Sequence, residues 1–130
     1  MPLYAGSCHC GAVRFAIEAE IADIYMCDCS LCAKKNTLMT SVHESRFKVL
    51  AGEDKLTLYQ WNARIARHYF CSVCGVYPFH RKRSMPGHYG VNVMCLDDFD
   101  ASGLTIRRAD GKTMTLVDPD ARPEWSGPRE

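Results

Sequence analysis

The sequence has no long hydrophobic run. No stretch of its 130 residues approaches the roughly 18 consecutive apolar residues of a membrane helix. It also has no excess of charge of one sign. Lys and Arg number 16, Asp and Glu 15, for a formal net charge of +1. That balance gives no electrostatic footprint for nucleic acid or an anionic membrane, and the single basic run, Arg81-Lys82-Arg83, is short. The N-terminus, Met1-Pro2-Leu3-Tyr4-Ala5-Gly6, lacks the basic and apolar regions of a secretory signal. The expected compartment is therefore the cytoplasm, where disulfides are rare. Internal repeats and long amphipathic helical periods are missing as well. Hydrophobic residues at 47% and charged residues at 24% are ordinary for one globular domain.

Cysteine, in contrast, is abundant. There are 8, and seven fall into three clusters: Cys8-x-Cys10, Cys27-x-Cys29-x2-Cys32 and Cys71-x2-Cys74. In a secreted chain an even count would read as a disulfide framework. In a reducing compartment, close pairs read as metal ligands. Thiolate-rich sites select zinc, Cu(I) or iron–sulfur, and structural zinc sites combine two chelating pairs. Cys8/Cys10 and Cys71/Cys74 form such a set. The second pair lies in Phe70-Cys71-Ser72-Val73-Cys74-Gly75, where Gly75 allows positive φ and backbone N–H groups can point at sulfur. The first, Gly6-Ser7-Cys8-His9-Cys10-Gly11, has glycine on both sides for the same expected reason. A site built from both pairs would tie the start of the domain to its middle.

The middle cluster leaves three thiolates. Three protein ligands with an open position is the usual pattern of a catalytic zinc. Cys95, His43, His68, Asp28 or water are the alternatives for a fourth ligand. Cys95 could close a second four-cysteine site or be an inert core thiol.

Strand candidates are short and many: Ala12 to Glu18, Ile24 to Met26, Leu38 to Val42, Phe47 to Leu50, Leu56 to Gln60, Ile65 to Phe70, Val76 to His80 and His88 to Leu96. One helical turn is expected over Ser30 to Lys35, with Ser30 as its N-cap. The chain reads as a mostly-β domain over residues 1–117 and a Pro-rich, irregular tail over 118–130, in which Trp125 is a docking candidate.

Taken together, Gly6-Ser7-Cys8-His9-Cys10-Gly11-Ala12-Val13-Arg14-Phe15, Cys27-x-Cys29-Ser30-x-Cys32 and Phe70-Cys71-x2-Cys74-Gly75 resemble the glutathione-dependent formaldehyde-activating enzyme (GFA) family, also called the centromere-protein-V type. The resemblance runs from Gly6 to about Asp97. It implies a β-tent of stacked antiparallel sheets carrying two zincs. Cys8, Cys10, Cys71 and Cys74 would hold a structural zinc, and Cys27, Cys29 and Cys32 a catalytic one. The implied activity is that of a carbon–sulfur lyase joining glutathione and formaldehyde in S-hydroxymethylglutathione. The implied partners are a glutathione-like thiol and an aldehyde, with no nucleic acid and no membrane. The competing reading is a non-catalytic two-zinc module for protein partners.

The chemistry is consistent with that implication. Zinc deprotonates a coordinated thiol. Three thiolate ligands make zinc a weaker Lewis acid than three histidines do, which suits thiol capture better than water activation. The three-cysteine site is expected to be the less fully occupied one. A thiol with carboxylates would need cations, and the candidates are Lys34, Lys35, Arg64, Arg67 and the Arg81–Arg83 run, each of which reads more simply as solvated surface. No role is assigned to His9, His43, His68, His80 or His88.

Overall fold

A computed structural model of the chain describes residues 2–27, 30–60, 64, 66–82, 85 and 87–109, with backbone alone at Cys27, Ser30, Cys32, Ala33 and Ala109. In chain order the elements are β1 (Leu3–Ser7), β2 (Arg14–Glu18), β3 (Ile24–Cys27), α1 (Ser30–Lys35), β4 (Met39–His43), β5 (Phe47–Ala51), β6 (Leu56–Tyr59), β7 (Arg67–Cys71), β8 (Phe79–Arg81), β9 (His88–Asn92) and β10 (Ile106–Ala109). Single 3-10 turns occupy Glu44–Arg46, Glu53–Lys55 and Val93–Cys95. The expected mostly-β architecture of short strands is what forms.

The strands make two sheets. One is three-stranded in the order β1-β2-β5, and the other seven-stranded in the order β10-β3-β4-β9-β8-β7-β6. All pairings are antiparallel except β10 with β3, which is parallel. Period-2 alternation explains why the sheets stack. In β2, Phe15 and Ile17 are buried while Arg14 and Glu18 are exposed. Phe15 meets Phe79 of the larger sheet edge-on at 5.7 Å, and Phe47 meets Phe79 at 4.7 Å and Tyr89 at 4.2 Å. Val13, Ile24, Val42, Val91 and Val93 complete this inter-sheet core. Each such side chain contributes about 1.5–3 kcal/mol by leaving water.

The other face of the seven-stranded sheet is of a different kind. Directly paired residues share a face, and the register aligns His68 with His80, His80 with Gly90, and Gly90 with Ser41. His68 and His80 are nonetheless buried, with rings stacked 5.0 Å apart. Gly90 makes this possible, because a Cβ there would lie 2.3 Å from the His80 ring. Tyr77 stacks on His80 and shares a hydrogen bond between its hydroxyl and His80 Nδ1. Asn92 Nδ2 donates to the Tyr77 carbonyl at 2.9 Å. Tyr25, Met39 and Tyr77 form a small second apolar cluster with Phe70 against them. Lys35 of α1 reaches this face, its Nζ 3.3 Å from the Tyr77 ring centroid.

Several boundaries differ from expectation for local reasons. The strand from His88 stops at Asn92, whose side-chain oxygen accepts from the Met94 N–H at 3.1 Å and starts a 3-10 turn, so Cys95 is not on a strand. β8 begins only after Pro78, which has no N–H for a ladder. The helical turn over Ser30–Lys35 forms as expected. Its N-terminal neighbours, Asp28 and Cys29, lie outside the described residues, as do Ile65 and the 118–130 tail with Trp125. Among the described residues no helix is long and apolar enough to cross a membrane.

Gly90→Ala should destabilise the fold by about 1–3 kcal/mol through overpacking against His80. Urea denaturation would measure this. The double variant with His80→Ala should cost clearly less than the sum of the singles. Strict additivity would show that the two residues do not constrain each other.

Candidate metal centre

Two similar turns build the centre. After β1, the Cys8 N–H donates to the Val13 carbonyl at 3.1 Å and the Val13 N–H donates back to Cys8 Sγ at 3.3 Å. After β7, the Cys71 N–H donates to the Val76 carbonyl at 3.0 Å, while the Val73 and Cys74 N–H groups point at Cys71 Sγ at 3.4 and 3.5 Å. Gly11 and Gly75 close these turns at φ +80° and +78°. That is the glycine chemistry expected for Gly75 and for the far side of the first turn. Gly6 differs: it lies within β1, and it is required because a Cβ would meet the Phe15 ring at 2.6 Å.

The turns bring Cys8, Cys10, Cys71 and Cys74 together, with all four Sγ atoms within 4.8 Å of one another, a group that could hold a metal ion. Cys8 and Cys10 sulfurs are 3.6 Å apart, and those of Cys10 and Cys71 3.7 Å. Both distances far exceed a disulfide bond of about 2.05 Å, and all four cysteines are free. They match instead the edge of a tetrahedron of sulfurs, about 3.8 Å for zinc–sulfur bonds of ~2.3 Å. The electrostatics point the same way. N–H groups of Cys10 and Val76 hold the Cys74 thiol down to about 6, and the Cys74 N–H, ahead of that of Val73, lowers Cys71. The Ala12 N–H favours the Cys10 thiolate, but desolvation and the neighbouring sulfurs push that thiol up to about 11. The group is prepared for negative charge that it cannot hold in full without a cation.

The other predicted site residues lie outside this group of four. Cys27 ends β3 and Cys32 lies in α1, so both belong to one β3–α1 segment. Their side chains, and all of Cys29, lie outside the described residues. Cys95 is not part of the group of four. It stands beside it, where burial first and then Cys8 and Cys74 push its thiol up to about 11. His43 is at the far end of β4, exposed, with Nδ1 2.8 Å from Ser45 Oγ. Burial, then His68, Lys82 and Lys35, holds His80 well below the usual histidine range, so it is neutral at neutral pH.

Of the cation candidates, Arg64 and Arg67 are exposed as expected. Lys35 and Lys82 are not simply solvated: Lys35 lies on Tyr77, and Lys82 Nζ is 4.9 Å from the centroid of Tyr25. Arg107 is a cation the sequence reading passes over. It lies against Tyr25 only because β10 pairs with β3, 82 positions away, which no local pattern announces.

Gly75→Ala should cost about 1–2 kcal/mol, since alanine resists the left-handed backbone there even with open space around it. Gly103→Ala, also in open space but without positive φ, should stay within about 0.5 kcal/mol. Equal thermal shifts in the two variants would show that backbone conformation at Gly75 is not what the turn depends on.

Residues 3–108 match the family model described as "Glutathione-dependent formaldehyde-activating enzyme", a family named for an enzyme. A crystal structure of a Rhodobacter sphaeroides protein has the same fold, with a TM-score of 0.75 and 39% sequence identity. The similarity covers 81% of this chain and 98% of that one. With the paired cysteine turns, the two stacked sheets and a family match over most of its length, this chain belongs to the glutathione-dependent formaldehyde-activating enzyme family.

Proposed function

We propose that the chain is a zinc-dependent carbon–sulfur lyase of the cytoplasm, acting on a thiol–aldehyde adduct such as that of glutathione and formaldehyde. Cys8, Cys10, Cys71 and Cys74 hold one zinc, which staples the fold. Cys27, Cys29 and Cys32 hold a second, at which the reaction takes place. The observation that carries this reading is the closed group of four. It takes up the outer two cysteine pairs and leaves the three cysteines of the β3–α1 segment as a separate set.

Zinc bound by three thiolates supplies an open position at which a thiol ionises at neutral pH. The reaction itself is an addition. A carbon–sulfur bond forms, the carbonyl π pair moves to oxygen, and one proton passes from sulfur to that oxygen. The lyase direction reverses each step. Holding both reactants together supplies much of the gain. The chain offers suitable surroundings beside the β3–α1 segment. Tyr25, Met39 and Tyr77 make an apolar floor that keeps water out. Lys35, one helical turn past Cys32, places positive charge on that floor. Neutral His80 is hydrogen-bonded to the Tyr77 hydroxyl and fixes its orientation on that floor.

Zinc content and exchange spectroscopy test the reading together. Wild type should carry about two zincs per chain and speed the exchange between free formaldehyde and its glutathione adduct. Cys29→Ser should fold, keep the first zinc and lose the acceleration. Cys71→Ser should unfold or aggregate, because a structural zinc contributes folding free energy directly. A chelator should remove the second zinc before the first. Unchanged exchange in Cys29→Ser would remove the catalytic assignment and favour a two-zinc module that binds protein partners.

A further inference from the structure

We propose that His80 is a positioning residue for the cysteine-bearing helix: acting through Tyr77 and Lys35 it fastens α1 to the large sheet, and uptake of a proton by His80 releases that helix. Only the link to catalysis rests on the lyase reading above, because α1 carries Cys32 of the proposed reactive set.

Three rings gather beside α1. Those of His68 and His80 stack 5.0 Å apart, Tyr77 lies 6.0 Å from His80 and within 15° of parallel to it, and His68 and Tyr77 are 6.2 Å apart. The Tyr77 hydroxyl and His80 Nδ1 share a hydrogen bond. Lys35 of α1 sets its Nζ 3.3 Å from the Tyr77 centroid, a contact that strengthens when both partners leave water. Tyr77 is thus the piece between helix and sheet, held by His80 and grasped by Lys35. The sheet itself yields little. β7, β8 and β9 are laddered at His68↔His80 and His80↔Gly90, and Gly90 admits the His80 ring where a Cβ would stand 2.3 Å from it. The Tyr77 main chain is fixed as well, since Asn92 Nδ2 donates to its carbonyl at 2.9 Å. The movable parts are the Tyr77 side chain and a helix of six residues.

Charge decides when this arrangement holds. Burial acts first on His80, then His68 from β7, Lys82 from β8 and Lys35 from α1. β9 presents only Gly90 there, and β4 beyond it presents Ser41, which accepts from Lys82 Nζ at 2.7 Å. Asp23 acts on Arg107 and Lys82, but no carboxylate among the described residues offsets the charges acting on His80. Buried among basic groups, His80 is held neutral, well below the usual histidine range. The fastened state therefore binds no proton at His80, whereas a released and hydrated His80 takes one up near the ordinary value of about 6.5. Fastening is at full strength above about pH 6.5 and weakens about tenfold per pH unit below it. Hydrating His80 requires Tyr77 to swing off it, and the seat of Lys35 goes with Tyr77.

Amide hydrogen exchange on the zinc-loaded full chain tests this, read by NMR in α1 and in β2 of the inter-sheet core and corrected for the intrinsic pH dependence of exchange. In wild type the α1 amides should open about tenfold more readily at about pH 5.5 than at about pH 6.5, while β2 keeps its protection. Lys35→Met keeps the stem and drops the charge, and should open α1 about tenfold at neutral pH without affecting β2. His80→Phe keeps a ring that cannot titrate, and should open α1 at neutral pH and abolish its response to acid. The proposal is overturned if wild-type α1 opens equally at both pH values, if α1 and β2 lose protection together, or if Lys35→Met leaves α1 unchanged. It is also overturned if His80→Phe keeps the wild-type response, as it would were acid acting on the cysteine thiolates instead. The wild-type and Lys35→Met measurements decide the matter even where His80→Phe fails to fold. Failure of the lyase reading looks different: α1 still follows His80, but formaldehyde exchange on glutathione is accelerated at no pH.

Discussion

Four thiol sulfurs held within 4.8 Å of one another cannot all ionise unless a cation lies among them, and the backbone of this protein is arranged to make them ionise. N–H groups converge on Cys8 from Val13, on Cys71 from Val73 and Cys74, and on Cys74 from Cys10 and Val76. Such donors favour thiolate, while desolvation and then the neighbouring sulfurs oppose it, as at the raised Cys10 thiol. A divalent ion resolves the conflict. Cys8 leaves the three-stranded sheet and Cys71 ends a strand of the seven-stranded one, so the same ion would lock one sheet to the other. A domain of this size has only a modest core of its own. Coupling metal affinity to sheet stacking adds stability where apolar burial alone is limited.

The division of labour between the two faces of the large sheet follows from this. One face is committed to the aromatic packing of Phe15, Phe47, Phe79 and Tyr89 and could not take polar groups without loss. On the other, among the described residues, α1 reaches across through Lys35, and there the sequence spends its polar residues: His68, His80 and Asn92 are buried on or beside that face. Burying them is unfavourable unless they satisfy one another. Asn92 meets the Tyr77 carbonyl and the Met94 N–H, and His80 meets the Tyr77 hydroxyl. A buried, internally bonded polar layer next to a cysteine-bearing segment is costly as mere support. It is what a reactive site needs, since groups held in place do not have to reorganise during reaction.

Much of this was readable residue by residue. The Cys-x-Cys and Cys-x2-Cys spacings with their glycines identified the group of four, because a metal turn is a local structure whose signals lie within six residues. Alternation placed most strands to within two or three residues for the same reason. What escaped was non-local. β1, Leu3–Ser7, carries a glycine that local rules count against a strand, and only its contact with Phe15 explains it. β10 is short and joins the sheet in parallel after a connection of about 80 residues, so Arg107 had no visible reason to matter. The burial of His68 and His80 depends on a register that puts Gly90 beside them. Lys35 and Lys82 read as surface because lysine usually is. An aromatic face under each changed that, and neither face is adjacent in sequence.

The contrast between the two cysteine sets has a physical basis beyond ligand count. The group of four is assembled from two turns separated by about 60 residues, one after each sheet's strand, so a metal held there would join the two sheets. The proposed set of three would come from a single segment at the end of β3 and the start of α1. Three ligands within six residues would close over a metal at little cost in chain entropy. A structural site gains from being hard to open. A site that must admit a thiol and release an adduct gains from the opposite, provided that something other than the metal holds the substrate.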